Sequence, residues 1–325
     1  MNSWIICNSI FLQYEDMYPL SIGEFSFTSA ENEAEVDALF QSNRVIESYG
    51  RTYKKSLINE WFFYKTLIFD PVEKLPFKVQ EEKAFLSDLL FHLWFAKDCC
   101  CGITFTTSHS FEHDMVTRIY PPNAFCKADL SSSTEVFSLV EIQFAYDILL
   151  KLVPNRSVFS DDDRDIKYHD SQKGISMISQ TTNYNKYNRM ERAMMFLNSA
   201  RVSSSLPEKI SFYVLLLECL FSAGDTTELK HRLGERIALY FGNNHDERIR
   251  LYNEFSEYYN IRSKYIHGQS IEGYDGKKMV KLYEASIGVD SLVRRILIKI
   301  ITNDADKFLL PSKGLRDWFN SMLFK

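Results

Sequence analysis

No stretch of this 325-residue chain is long and apolar enough to suggest a membrane span. The richest, "FYVLLLECLF" at 212–221, falls well short of the roughly 20 residues that a bilayer demands. The opening "MNSWIICNSIFLQYEDMYP" has no basic leader, and Asn8 and Ser9 break its apolar run, so no secretory signal is expected. Six cysteines are present, three of them adjacent at Cys99, Cys100 and Cys101, with no CxxC pair. That clustering suits neither a disulfide framework nor a zinc site, and it points to a reducing, cytoplasmic setting. GxSxG and HExxH are both absent, "GRTYKKS" at 50–56 lacks the second glycine of a P-loop, and no internal repeat is found. Positive charge is not in excess either. At a net charge of −5, bulk attraction to nucleic acid is excluded, and any RNA contact requires a local patch.

What is present can build sizeable cores. Hydrophobic residues make up 45% and aromatic residues 14%, which argues against wholesale disorder, and the length suits two ordinary domains. Apolar residues recur at helical spacing over 34–48, 81–97 and 134–152, while 4–12, 102–107 and 115–120 read as short strands. Residues 1–155 are therefore expected to form an α-rich domain with a few short strands. The aromatics of "EWFFYKTLIFD" belong to its core more readily than to a base-stacking surface. His109 and His113 lie four apart, but in extended surroundings without a third ligand, so no metal and no cofactor is expected. Residues 156–187 are polar, carry the run Asp161-Asp162-Asp163, and read as a linker.

Residues 188–325 read as a helical bundle, which makes the chain mainly α. The first helix covers 189–202. The second covers 207–222, with Pro207 in its first turn and apolar residues nearly all round. The third opens with Asp225 and Glu228 spaced as a capping box, the fourth runs from about Asp246, and the fifth spans about 276–301. A short terminal helix with Trp318 and Phe319 is expected to pack back onto the bundle.

The fourth helix holds the main candidate site. Leu251, Phe255, Tyr258, Arg262 and Ile266 follow at steps of three or four, which puts a cation on an otherwise apolar stripe. Such a cation is costly to desolvate unless it is paired or faces a ligand. His267 stands five positions on, about 140 degrees further round, within convergence of a long arginine side chain. Gly268 is a natural residue for the position after a helix end, where Arg or His also complements the dipole. The spacing is satisfied equally by a helix cap and by a site. Glu218, the single charge in the second helix's apolar run, needs a partner. Arg232 and Arg236 on the next helix are the foremost candidates and Arg262 another. A structural tie between helices is the favoured role for Glu218; orienting a catalytic arginine is the alternative.

"RSKYIH" fits the R-x4-6-H signature of HEPN domains, and "YNIRSKYIHG" resembles its form in the Apea-like HEPN family. Upstream, "FYVLLLECLFSAGDTTELKHRLGERIALYFG" is similar to that family's aliphatic, glutamate-bearing helix, its loop and its "ELxxRLxxR" helix. The resemblance spans about 188–310 and leaves 1–155 uncovered. It implies a helical homodimer and a metal-independent endoribonuclease of toxin or antiphage-defence (abortive-infection) systems, needing no cofactor. In that picture Arg262 holds the scissile phosphate, His267 shuttles the proton, and Ser263 occupies the supporting polar position. Between Lys277 and Lys299 six Lys/Arg stand against two Asp/Glu, and Lys277, Lys278 and Lys281 are candidates for an RNA-contacting rim. The N-terminal half would sense a trigger or restrain activity, and a trigger or antitoxin partner is left unidentified. The competing expectation is a non-catalytic HEPN module for dimerisation or as an adaptor.

Overall fold

The computed structural model describes residues 2–16, 18–40, 50–68, 75–110, 115–119, 125–152, 187–224, 227–271 and 279–323. The expected linker at 156–187 lies almost wholly outside them, as do His113, Asp225, Lys277 and Lys278. The chain divides into two compact units, Met1–Leu149 with Arg201–Ser204, and Leu150–Ala200 with Ser205–Lys325. Mainly α describes the chain as a whole, and none of the described helices is long and apolar enough to cross a membrane.

The first unit holds more sheet than its sequence suggests. β1 (Asn2–Ile10), β3 (Leu20–Ile22), β4 (Phe25–Ser29), β5 (Trp61–Ile68), β6 (Gly102–Ser110) and β7 (Met115–Ile119) form one six-stranded sheet, ordered β3-β4-β5-β1-β6-β7. Every pairing in it is antiparallel. β2 (Leu12–Tyr14) pairs in parallel with β8 (Glu135–Phe137). Trp4, Ile5, Ile6 and Cys7 are all buried, so central β1 is covered on both faces and shows no alternation of polar and apolar residues. On one face Trp4, Ile6 and Phe62 meet Val36 of α1 (Glu33–Phe40) and Tyr53 and Leu57 of α2 (Arg51–Leu57). On the other, Lys65 pairs with Glu82 of α3 (Leu75–His92) at 2.7 Å, and Phe25 stacks on Phe85. Residues 134–152, expected as one helix, divide into β8 and α4 (Leu139–Leu152). The break is chemical: the Ser138 N–H donates to Glu141 and the Glu141 N–H to the Ser138 hydroxyl, a reciprocal cap that starts the helix there.

The second unit is a bundle of α5 (Arg189–Val202, its last two residues in the first unit), α6 (Leu206–Phe221), α7 (Leu229–Phe241), α8 (His245–Ile266) and α9 (Met279–Lys299). The short α10 (Ala305–Phe308) and α11 (Ser312–Leu323) follow. Asn188 and Glu191 cap each other at the start of α5, and Asn244 accepts from the Glu247 N–H at the start of α8. α7 differs from expectation. Its N-cap is Glu228, in the left-handed region with φ 52°, rather than Asp225, and no side chain caps it. α6 packs against both α8 and α9, which explains why it is apolar nearly all round. α8 approaches α9 closely at Gly288, where any Cβ would overlap the Tyr258 hydroxyl. The terminal helix packs back as expected, with buried Phe319 stacked on Phe221 and Trp318 edge-on to Tyr240.

Candidate functional site

Leu251, Phe255 and Tyr258 of α8 are buried against the bundle, and Arg262 continues their stripe. Ile266 does not. It is 52% exposed, so the apolar face ends one turn before the helix does. The Arg262 side chain, 18% exposed, donates from Nη2 to Glu218 Oε2 on α6 at 3.1 Å. Its guanidinium also lies 5.5 Å from the ring centre of Tyr259, within cation–π range. Tyr259 went unnoticed in the sequence, although a residue three before Arg262 on one helix is a neighbour by geometry.

The pair is incompletely satisfied. Glu218 Oε1 and Arg262 Nε are both buried and find no hydrogen-bond partner among the described residues. Burial raises the Glu218 pKa above the ordinary carboxylate range, and the attraction of Arg262 offsets that only in part. A 3.1 Å ion pair would by itself lower that pKa, so removing the carboxylate from water is the larger effect here.

The foremost candidates for Glu218 are engaged elsewhere. Arg236, buried, donates to the carbonyl of Phe221 at 2.9 Å and so satisfies an orphan acceptor at the end of α6, with Phe319 stacked below it. Arg232 lines a separate groove with Glu228, His231 and Glu235. Both arginines lie beside the stripe of α7, and sequence spacing alone could not choose among three.

His267 terminates α8. Its N–H bonds the Ser263 carbonyl at 3.1 Å, the Gly268 N–H bonds Tyr265, and the Gln269 N–H bonds Lys264. With Gly268 at φ 64°, this is a complete Schellman cap. Its backbone is thus a helix end, while its ring is exposed and makes no hydrogen bond or ion pair among the described residues. Ser263 is half-buried and contributes its carbonyl to the cap. Comparison with protein-family models, curated proteins and solved structures returns no match. The site is therefore read from its own geometry.

That geometry joins Glu218, Arg262 and Tyr259, and holds His267 in solvent at the end of the same helix. The basic rim expected on the fifth helix is thinner than its composition suggests. Arg294 is tied to buried Asp290, and Lys299 donates to the Tyr240 carbonyl at 2.6 Å. Lys281 is exposed and lines a recess with Glu257, Asn260 and Lys264.

Proposed function

We propose that this chain is a metal-independent HEPN endoribonuclease acting as a homodimer, with Arg262 and His267 as its catalytic residues. The observation that carries the reading is the pairing of an arginine, held at the surface of the bundle by Glu218, with a solvent-facing histidine on the same helix end. RNA brings its own nucleophile. The 2′ oxygen attacks the adjacent phosphorus and gives its proton to the imidazole of His267. The P–O5′ bond breaks, the 5′ oxygen takes that proton back from the imidazolium of His267, and a 2′,3′-cyclic phosphate remains. A guanidinium stabilises charge building on the phosphorane oxygens, and Arg262 keeps donors beyond the one that Glu218 engages. Glu218 fixes the fork and Tyr259 backs it. In a toxin or defence effector, the N-terminal unit would sense a trigger or restrain the site.

The ion pair also favours a second reading, a non-catalytic HEPN adaptor in which Arg262 ties α8 to α6. Incubation of the full chain with RNA separates the two. The endoribonuclease cuts in EDTA and fails on RNA whose attacked 2′-OH is replaced by hydrogen or methoxy. His267→Ala slows it about a hundred- to ten-thousandfold, and Arg262→Lys is poor because a point charge cannot replace a planar fork. Folded, dimeric variants that cut at the wild-type rate would overturn the assignment, and an inert wild type would leave the adaptor.

A further inference from the structure

Beside Glu218, on the side facing α5, lies an open groove of about 390 Å³ whose lining includes Arg189, Arg192, Glu218, Cys219, Ser222 and Ser312. Arg189 and Arg192 stand three apart on α5, so their side chains share a face. Burial is the main influence lowering the Arg189 pKa, and repulsion from Arg192 adds to it. Arg189 Nη1 is sealed from solvent and bonded to nothing, and the Arg189 guanidinium forms no ion pair among the described residues. Such a group cannot escape its desolvation cost by deprotonating, because arginine stays charged at any physiological pH. A bundle gains nothing from a half-buried cation without a counter-charge, whereas an anion seated in the groove would satisfy it. The other groups present do not oppose an anion. Glu218, the one carboxylate among the described lining residues, is paired with Arg262 through Oε2, and burial keeps the Cys219 thiol neutral by pushing its pKa up.

We propose that this groove is a second phosphate subsite, in which Arg189 and Arg192 hold a backbone phosphate of the same RNA strand that Arg262 engages. Glu218 joins the two places, since it lines the groove and bonds Arg262. The subsite rests on the endoribonuclease reading and assigns that enzyme a substrate class: a single strand long enough to span both arginine sites, gripped by its backbone and without regard to base.

The test measures binding by fluorescence anisotropy to a 2′-O-methyl RNA oligonucleotide, which cannot be cut, across a potassium chloride series. The full-length wild type should bind, and Arg189→Gln/Arg192→Gln should weaken binding roughly tenfold at low salt. The salt slope of log K should also become shallower by about 0.7, the value of one single-strand phosphate contact. Arg189→Lys should keep the slope. Unchanged affinity and slope in the double Gln variant overturn the subsite, as does a wild type that binds no oligonucleotide. A slope lost equally by Arg189→Lys indicates lost packing and also overturns it. A nucleoside monophosphate bound as tightly as the oligonucleotide replaces the strand with a free nucleotide. Because no cutting is involved, these outcomes are independent of whether Arg262 and His267 variants still cleave.

Discussion

Glu218 and Arg262 allow a double-mutant cycle whose size and pH dependence follow from their surroundings. At about 4 Å between charge centres, with an effective dielectric near 20, their gross attraction is about 4 kcal/mol. Burial raises the Glu218 pKa in spite of that attraction, so for Glu218 desolvation outweighs it and the intact pair is worth little net. Removing one partner is another matter. Arg262→Ala leaves a carboxylate whose side chain is only 13% exposed without its counter-charge, and should cost about 2–3 kcal/mol at neutral pH. Glu218→Gln should cost less, because an amide oxygen still accepts from the guanidinium. Urea unfolding of wild type, both single variants and the double variant should give a coupling of about 1–3 kcal/mol. The sign with pH is set by the raised Glu218 pKa. Its protonated form favours the fold, a contribution fully present below the ordinary glutamate value of about 4.3 and lost as pH rises through the folded value. Without Arg262 the folded value rises further, so the cost of Arg262→Ala should grow from acid to neutral pH. A coupling under about 0.5 kcal/mol, or a cost that does not change between pH 4 and 7, would refute this account of the pair.

Two glycines make further predictions. Gly288→Ala drives a methyl group into the Tyr258 hydroxyl where α8 meets α9, and should lower stability by about 1–3 kcal/mol in thermal or urea unfolding; a variant as stable as wild type would show that the helices part without cost. Gly268→Ala meets no neighbouring atom among the described residues, so its cost should be the left-handed backbone alone, about 1 kcal/mol. A loss well above that would mean the segment after His267 packs against something.

Much of the bundle was legible because its helices carry their own boundaries. α5 occupies 189–202 as its periodicity indicates, and α6 begins one residue before Pro207, both signals being local in the chain. The sheet was harder to read. The runs 4–12, 102–107 and 115–120 fall on β1, β6 and β7, but β3, β4 and β5 were not read, and β8 was hidden inside a helical pattern until Ser138 and Glu141 capped α4. Asp225 is not the N-cap of α7, because the helix starts at Leu229 behind Glu228 and without a side-chain cap.

The sequence by itself placed Arg262 on an apolar stripe, five residues before His267 and one full helix after Glu218, and marked Gly268 as the residue that ends the helix. Those statements depend only on helical periodicity and on the left-handed preference of glycine, which are properties of neighbouring residues. Tertiary structure decided which arginine answers Glu218. Arg236 turned to the end of α6, and α8 crossed α6 where Arg262 could reach the carboxylate. It also decided that Ile266 and the His267 ring stay in solvent and that buried Arg189 Nη1 finds no hydrogen-bond partner among the described residues. Partner choice and burial depend on how helices distant in sequence cross, and periodicity within one helix carries no record of that.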